Sequence, residues 1–241
     1  MRAPDPAFAD PRLAVLYDVF DGDRSDLDAY VAIAEELAAD TVVDVGCGTG
    51  SLAVRLAGLG KTVVGVDPAG ASLEVARAKP NADGVRWVHG DATDLVALGL
   101  GADLAVMTGN VAQVFVSDED WTLTLSAVRD CLRPGGWFVF ETRRPEARDW
   151  EHWDVAPTVV TTPGGAAVTV SRTVTEVALP LVTFESTTTL GGIVVPSIST
   201  LRFRDEMEVR HDLGTHDFDV VEVRDAPDRP GKEFVFLTRR R

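Results

Sequence analysis

The segment with the clearest chemical potential is Asp44-Val45-Gly46-Cys47-Gly48-Thr49-Gly50. Its glycines permit positive φ and let a ligand approach the backbone closely. A strand entering such a turn, with a helix leaving it, points backbone N–H groups and a helix N-terminus at one place. That arrangement favours a phosphate or a carboxylate. Asp67 follows about 20 residues later, where a carboxylate suits the two hydroxyls of a ribose. Two ligand classes compete for such a turn. Dinucleotide sites use G-x-G-x-x-G, whereas here the third glycine, Gly50, arrives one place early and Ser51 occupies the expected position. Asp44 also stands two residues before the first glycine. A negative charge there opposes a pyrophosphate and favours a ligand that carries positive groups.

These residues need a frame. Residues 28–39 read as a helix with Asp26 or Asp28 near its start. Strands are expected at 41–45, 62–66, 85–89, 104–107 and 137–141, with helices at 51–59, 71–78 and 118–132 between them. Arg133-Pro134-Gly135-Gly136 is a turn that ends the last of these helices. Strands alternating with helices of this length predict right-handed βαβ crossovers and a parallel sheet. The pattern changes after Pro145. From about residue 158 to residue 203 the chain is rich in Val and Thr, and antiparallel strands are expected over 168–177, 182–190 and 194–203. Leu179-Pro180 and Gly191-Gly192 supply the turns between them. A short helix at 205–213 and strands at 218–223 and 233–237 close the chain. The predicted organisation has three parts: N-terminal helices and a ligand-binding α/β core over 1–145, an inserted antiparallel segment over 146–204, and a closing helix and strands over 205–241.

Residues 42–50, Val-Val-Asp-Val-Gly-Cys-Gly-Thr-Gly, resemble the first motif of the class I S-adenosylmethionine-dependent methyltransferases. Gly65-Val66-Asp67-Pro68-Ala69 resembles their second motif and His89-Gly90-Asp91-Ala92-Thr93 their third. Residues 132–140 resemble the turn and strand that follow the fourth helix of that family. The motifs stand in family order and cover residues 40–143. The resemblance implies a Rossmann-like α/β fold, with a seven-stranded, mostly parallel sheet whose last strand is antiparallel and with helices on both faces. The Val/Thr-rich segment adds a small inserted antiparallel sheet. S-adenosyl-L-methionine is the implied cofactor and S-adenosyl-L-homocysteine the product. At matching positions, the backbone around Gly46, Cys47, Gly48 and Gly50 holds the amino-acid end of the cofactor, with Asp44 near its ammonium. Asp67, with Pro68 beside it, binds the ribose hydroxyls. Asp91 and Ala92 read the adenine, and Asn110 lines the pocket near the sulfonium.

The acceptor side is less determined. Leu16-Tyr17-Asp18-Val19-Phe20 resembles a segment that closes over the cofactor in many small-molecule methyltransferases. Tyr17 is therefore either a lid residue or an aromatic anchor for the N-terminal helix. Residues 107–114 resemble the corresponding stretch of the amino-sugar N-methyltransferases, which share this N-terminal entry and inserted sheet. Those enzymes place a histidine where this chain has Gln113. Glutamine is no base near neutral pH, so Gln113 either orients an acceptor or satisfies loop backbone. Arg143 or Arg144, at the end of the fifth strand, matches a grip on an acidic acceptor or a plain edge arginine. Trp150, His152 and Trp153 form either an apolar acceptor wall or a seam joining the insertion to the core. The catalytic expectation rests on Tyr17, Gln113 and Arg143.

Composition removes other classes. The 38 acidic against 23 basic residues give a net charge of −15, a field that repels phosphate backbones and argues against a nucleic-acid partner. Two cysteines, Cys47 and Cys131, build neither a disulfide framework nor a four-ligand zinc site. The four histidines, His89, His152, His211 and His216, are scattered, with no nucleophilic triad or metal-ligand spacing among them. Residues 1–10 carry acids and prolines without the apolar stretch of a signal peptide. No apolar run reaches membrane-spanning length, and a cytoplasmic enzyme is expected. The expected reaction is methyl transfer to a nitrogen or oxygen of a small metabolite. Positioning can supply roughly 7–11 kcal/mol of such a barrier. The rivals are a relative that keeps the fold as a binding or assembly protein, and an NAD-dependent oxidoreductase. Exposed edges of the Val/Thr strands are compatible with a homodimer.

Overall fold

The computed structural model describes residues 4–22 and 24–241. Residues 1–3 of the N-terminal stretch lie outside the described residues. Two short helices come first, α1 (Pro6–Ala9) and α2 (Pro11–Asp21). Each begins with proline, whose fixed φ suits a first helical position. Each is capped by the preceding aspartate, Asp5 accepting from the Ala7 N–H and Asp10 from the Arg12 N–H, both at 2.8 Å. Then α3 (Asp28–Glu36) stops short of residue 39, because the chain turns left-handed at Ala38 (φ +48°) to enter the first strand.

The alternating core follows as β1 (Thr41–Val45), α4 (Ser51–Gly58), β2 (Thr62–Asp67), α5 (Gly70–Arg77), β3 (Val85–His89), α6 (Ala92–Val96), β4 (Ala102–Met107), α7 (Asp118–Cys131) and β5 (Leu132–Arg143). The insertion contributes β6 (Val155–Thr161), β7 (Ala167–Ala178), β8 (Leu181–Leu190) and β9 (Ile193–Arg202), and α8 (Glu206–Thr215), β10 (Phe218–Asp225) and β11 (Glu233–Arg240) close the chain. The main sheet has seven strands in the order β10-β11-β5-β4-β1-β2-β3. Only β11 runs against the others, pairing antiparallel with both β10 and β5. The second sheet, β6-β7-β8-β9, is antiparallel throughout.

Alternate residues of the central strands feed two apolar layers. Phe138 and Phe140 of β5 point into one with Met107, Trp121, Leu125 and Phe236, whereas Val139 points into the other with Val42, Leu56 and Leu104. Within β1, four successive residues are buried, and Asp44 is the only polar one. Apolar packing fastens the inserted sheet at two places. Val168 and Val195 pack on Leu13 and Leu16 of α2. Trp150 and Phe203 meet edge-on at 4.7 Å, with Val182 beside them. Of the two sequence alternatives for the tryptophan entry, Trp150 is thus part of the seam.

Two strands differ from the expectation. β6 was missed by periodicity because it is an exposed edge strand containing Pro157, which an edge tolerates and an interior strand does not. β5 starts at Leu132 rather than 137. Leu132 pairs with Ala102, and a register shift between Ala102 and Leu104 absorbs the Pro134-Gly135-Gly136 stretch. No helix among the described residues is long and apolar enough to cross a membrane.

Candidate active site

The carboxyl ends of β1, β2, β3 and β4 lie side by side, the edge at which open α/β sheets bind ligands. At the end of β1 the backbone takes positive φ at Gly46 (+73°), Gly48 (+52°) and Gly50 (+75°) before α4 begins. The Gly46 and Cys47 N–H groups donate to the Val66 carbonyl at 2.9 and 3.1 Å, which ties the turn to β2. A side chain at Gly46 would meet Val111 at 2.7 Å, and one at Gly50 would meet Trp87 at 2.4 Å. Those glycines are thus demanded by packing as well as by conformation. Gly48 faces open space, so its turn remains approachable.

Two carboxylates border this turn. Asp67 is 8% exposed and bridges the two loops, accepting from the Gly48 N–H through Oδ2 and from the Ala69 N–H through Oδ1, each at 2.8 Å. Burial raises its pKa against the pull of those bonds. Asp44 is 2% exposed, and its Oδ1 is buried without a hydrogen-bond partner. Burial, then repulsion from Asp67, push the Asp44 carboxyl up to about 7, partly offset by Arg24. An unpaired carboxylate in such a place carries a desolvation cost that a cationic ligand would remove. Cys47 lies half-buried in the turn, its thiol pushed up by burial and by the two aspartates.

Along the same edge, the Pro68 carbonyl lies 3.0 Å from His89 Nε2. Asp91 caps α6, its Oδ1 accepting from the Thr93 N–H at 2.9 Å, and Ala92 behind it is buried. This cap leaves the Asp91 Oδ2 uncommitted by any described bond.

The N-terminal helix lies over the turn. Asp18 of α2 accepts from Thr49 Oγ1 at 2.7 Å and Ser51 Oγ at 3.3 Å, and pairs with Lys79 Nζ at 2.7 Å. Tyr17, one residue earlier, packs on Phe8 at 5.7 Å between ring centres. Burial, with Asp21 nearby, pushes its phenol up to about 12. Tyr17 is therefore anchored within the N-terminal segment.

The other half of the edge holds Asn110, Gln113 and Arg143. Asn110 (φ +60°) opens a single 3-10 turn over Val111–Val114, and the Gln113 N–H donates to its carbonyl at 3.0 Å. Gln113 is fully buried. Its Oε1 accepts from Arg143 at 2.8 Å and its Nε2 donates to the Arg202 carbonyl at 3.3 Å. The guanidinium of Arg143 also lies 5.2 Å from the centre of the Trp153 ring. The structure thus brings these three residues together. Tyr17, on α2, shares no described hydrogen bond or ring contact with them.

Two buried glutamates join this group that sequence reasoning did not assign. Glu141 Oε1 accepts from the Gly109 and Asn110 N–H groups at 2.5 and 3.0 Å, and Tyr30 Oη donates to its Oε2. Burial, then the nearby Glu233, push the Glu141 carboxyl up to about 7. Glu233 is 0% exposed, with its Oε1 accepting from Asn110 Nδ2 and from Arg229, both at 2.8 Å. A charged residue ending a run as apolar as Trp137-Phe138-Val139-Phe140 was the available signal for Glu141. Glu233 had none, because only the pairing of Glu233 with Arg143 across β11 and β5 brings it to this edge.

A family described as methyltransferase domain matches residues 42–136, the stretch that contains the glycine turn, Asp67, Asp91 and Asn110. Residues 42–136 are thus similar to a methyltransferase domain. Among curated relatives, this domain region is 37% identical over 110 residues to the ubiquinone biosynthesis O-methyltransferase of Dinoroseobacter shibae, a match spanning 44% of this chain and 43% of that protein. It is 32% identical over 135 residues to the cypemycin N-terminal methyltransferase of a Streptomyces species, 55% of each chain. The chain therefore spans about half the length of the curated relatives it matches. The fold match extends further. An S-adenosylmethionine-dependent methyltransferase from Clostridium acetobutylicum superposes with a TM-score of 0.77 at 16% identity, covering 95% of this chain and 96% of that one. The sugar N-methyltransferase KedS8 from a Streptoalloteichus species gives 0.74 at 19% identity, covering 93% and 92%. The methyltransferase domain and its inserted sheet thus share one architecture with these structures, as the sequence resemblance implied.

Proposed function

We propose that the chain is an S-adenosyl-L-methionine-dependent methyltransferase acting on a nitrogen or oxygen of a small molecule. The observation that carries this reading is Asp44 Oδ1, a buried carboxylate oxygen without a partner beside a glycine turn. A pyrophosphate would add negative charge to an edge that already holds Asp44 and Asp67, whereas the ammonium of an amino-acid group would offset it. The residues present therefore fit this cofactor better than a dinucleotide. Asp44 and the backbone at Gly46, Cys47, Gly48 and Gly50 would hold its amino-acid end, Asp67 with Pro68 its ribose, and Asp91 with Ala92 its adenine.

When bound, the cofactor supplies a methyl group already activated on a sulfonium. What remains for the protein is to orient an acceptor, exclude water and receive the proton that the acceptor loses. The edge formed by Asn110, Gln113 and Arg143 suits the first task, with Gln113 held by Arg143 rather than free to rotate. The capped, aromatic-anchored α2 carrying Tyr17 suits the second. A small acceptor also fits the relatives whose names give one, since these include ubiquinone-biosynthesis and sugar-modifying enzymes.

Calorimetric titration with S-adenosyl-L-homocysteine tests the reading. Binding to the wild type is expected, with Asp67→Ala weakened roughly 10- to 100-fold, the loss of charge-assisted hydrogen bonds. Equal affinity in the two proteins would remove Asp67 from the site, and a melting temperature raised by NADH instead would replace the cofactor altogether.

A further inference from the structure

The hydrogen bonds around Glu233 are lopsided. Asn110 Nδ2 and Arg229 both donate to Oε1, and the nearest nitrogen of Arg143 also faces Oε1, at 3.8 Å. Oε2 is buried and receives nothing. The amide of Asn110 is fixed by the same contact. A carboxylate only accepts, so the NH₂ end of the amide must face Glu233, and its Oδ1 is left buried and unpartnered as well. Neighbouring Glu141 differs, since both of its oxygens are occupied. Two side chains in direct contact at the carboxyl edge of β4 and the start of β11 therefore offer two free acceptor oxygens, beside an amide nitrogen that already donates to Glu233.

We propose that Glu233 Oε2 and Asn110 Oδ1 form the methyl-acceptor subsite, and that the acceptor is an amine. This inference rests on the methyltransferase reading above and narrows it. A hydroxyl has one proton and could satisfy one of the two oxygens, whereas an amine presents two or three N–H groups and can satisfy both. In the transfer, an ammonium first gives one proton to Glu233 Oε2; the nitrogen lone pair so freed forms the new C–N bond as the C–S bond breaks and its electron pair stays on sulfur, leaving a neutral thioether. The nitrogen must shed one proton for each methyl group gained, and Glu233 Oε2 receives it. Asn110 is a binding residue here, because an amide oxygen accepts a hydrogen bond but holds no proton near neutral pH.

The test uses the intact chain loaded with S-adenosyl-L-homocysteine, and ¹³C-methylammonium against ¹³C-methanol as matched probes, read by saturation-transfer NMR. Methylammonium is expected to bind and methanol not. Glu233→Gln should weaken methylammonium binding about tenfold or more. Asn110→Gly removes the amide while keeping a backbone that tolerates positive φ, and should weaken it too. Circular dichroism establishes that each variant is folded, and the glycine variant answers the question if the glutamine variant is not. No methylammonium binding to the wild type, equal binding of methanol, or binding unchanged in the folded variants would overturn the proposal. Affinity for S-adenosyl-L-homocysteine, measured first, reports separately on the cofactor reading. If it is absent, that reading fails, and the same titration on the unloaded protein still decides the amine subsite. With ¹³C-methyl cofactor and a metabolite extract, label on nitrogen supports the proposal, and label on oxygen or carbon contradicts it.

Discussion

Asp44 makes the clearest prediction at the residue scale. Its carboxyl is pushed from an ordinary 3.8 up to about 7 by burial and by Asp67. The native protein therefore holds a proton there that the unfolded chain releases, between about pH 4 and about pH 7. Native stability from this group falls as pH rises through that window. Asp44→Asn should accordingly be more heat-stable than the ligand-free wild type at pH 8, by about 1–3 kcal/mol. The two should converge near pH 4, and the variant should lose affinity for S-adenosyl-L-homocysteine. Thermal melts from pH 4 to pH 8 check the sign, and a wild type that gains stability relative to Asp44→Asn on going to pH 8 would refute it. Gly46→Ala is the packing counterpart: φ +73° and contact with Val111 predict a loss of about 1–3 kcal/mol in a denaturant titration. Gly46 and Asp44 were legible in the sequence because what makes them special is local, a turn and a charge within a buried strand. Glu233 was not, since its partners Asn110, Arg143 and Arg229 come from three separate places in the chain.

At the scale of elements, α2 is held to the glycine turn through one residue. Asp18 meets Thr49, Ser51 and Lys79, so Asp18→Asn should loosen the helix where it covers the turn. Dissociation of S-adenosyl-L-homocysteine, followed by stopped flow, should speed up roughly two- to tenfold, a range suited to a partly exposed ion pair. An unchanged rate would mean that α2 does not govern exit of the ligand. The alternation of strands and helices across residues 41–143 was readable from periodicity, and each core strand expected there is present. The reading faltered where periodicity carries no information. An edge strand such as β6 buries neither face, and the early start of β5 depends on a register shift that only its neighbour β4 reveals.

For the molecule as a whole, apolar packing joins the inserted sheet to the rest at the Trp150–Phe203 contact and at the α2 face of Leu13 and Leu16, and β9 adds polar contacts through Ser199 to Asp5 and Arg202 to Asp118. Phe203→Ala should cost about 3–5 kcal/mol. Because that seam also positions Trp153 against Arg143, the variant should weaken acceptor binding more than cofactor binding. Calorimetric melting and the two ligand titrations check this, and equal losses for both ligands would contradict it. The insertion itself was visible as a change in composition, but which of its side chains face the core was not, because that depends on how one sheet lies against another. The late position of β11 has a consequence in time. It slots between β10 and β5, yet it is synthesised after both, and it carries Glu233. Every residue assigned to the cofactor is synthesised before it. By the proposed assignments, a place for the methyl donor can form during synthesis before β11 is made, and a place for the group to be methylated only after it.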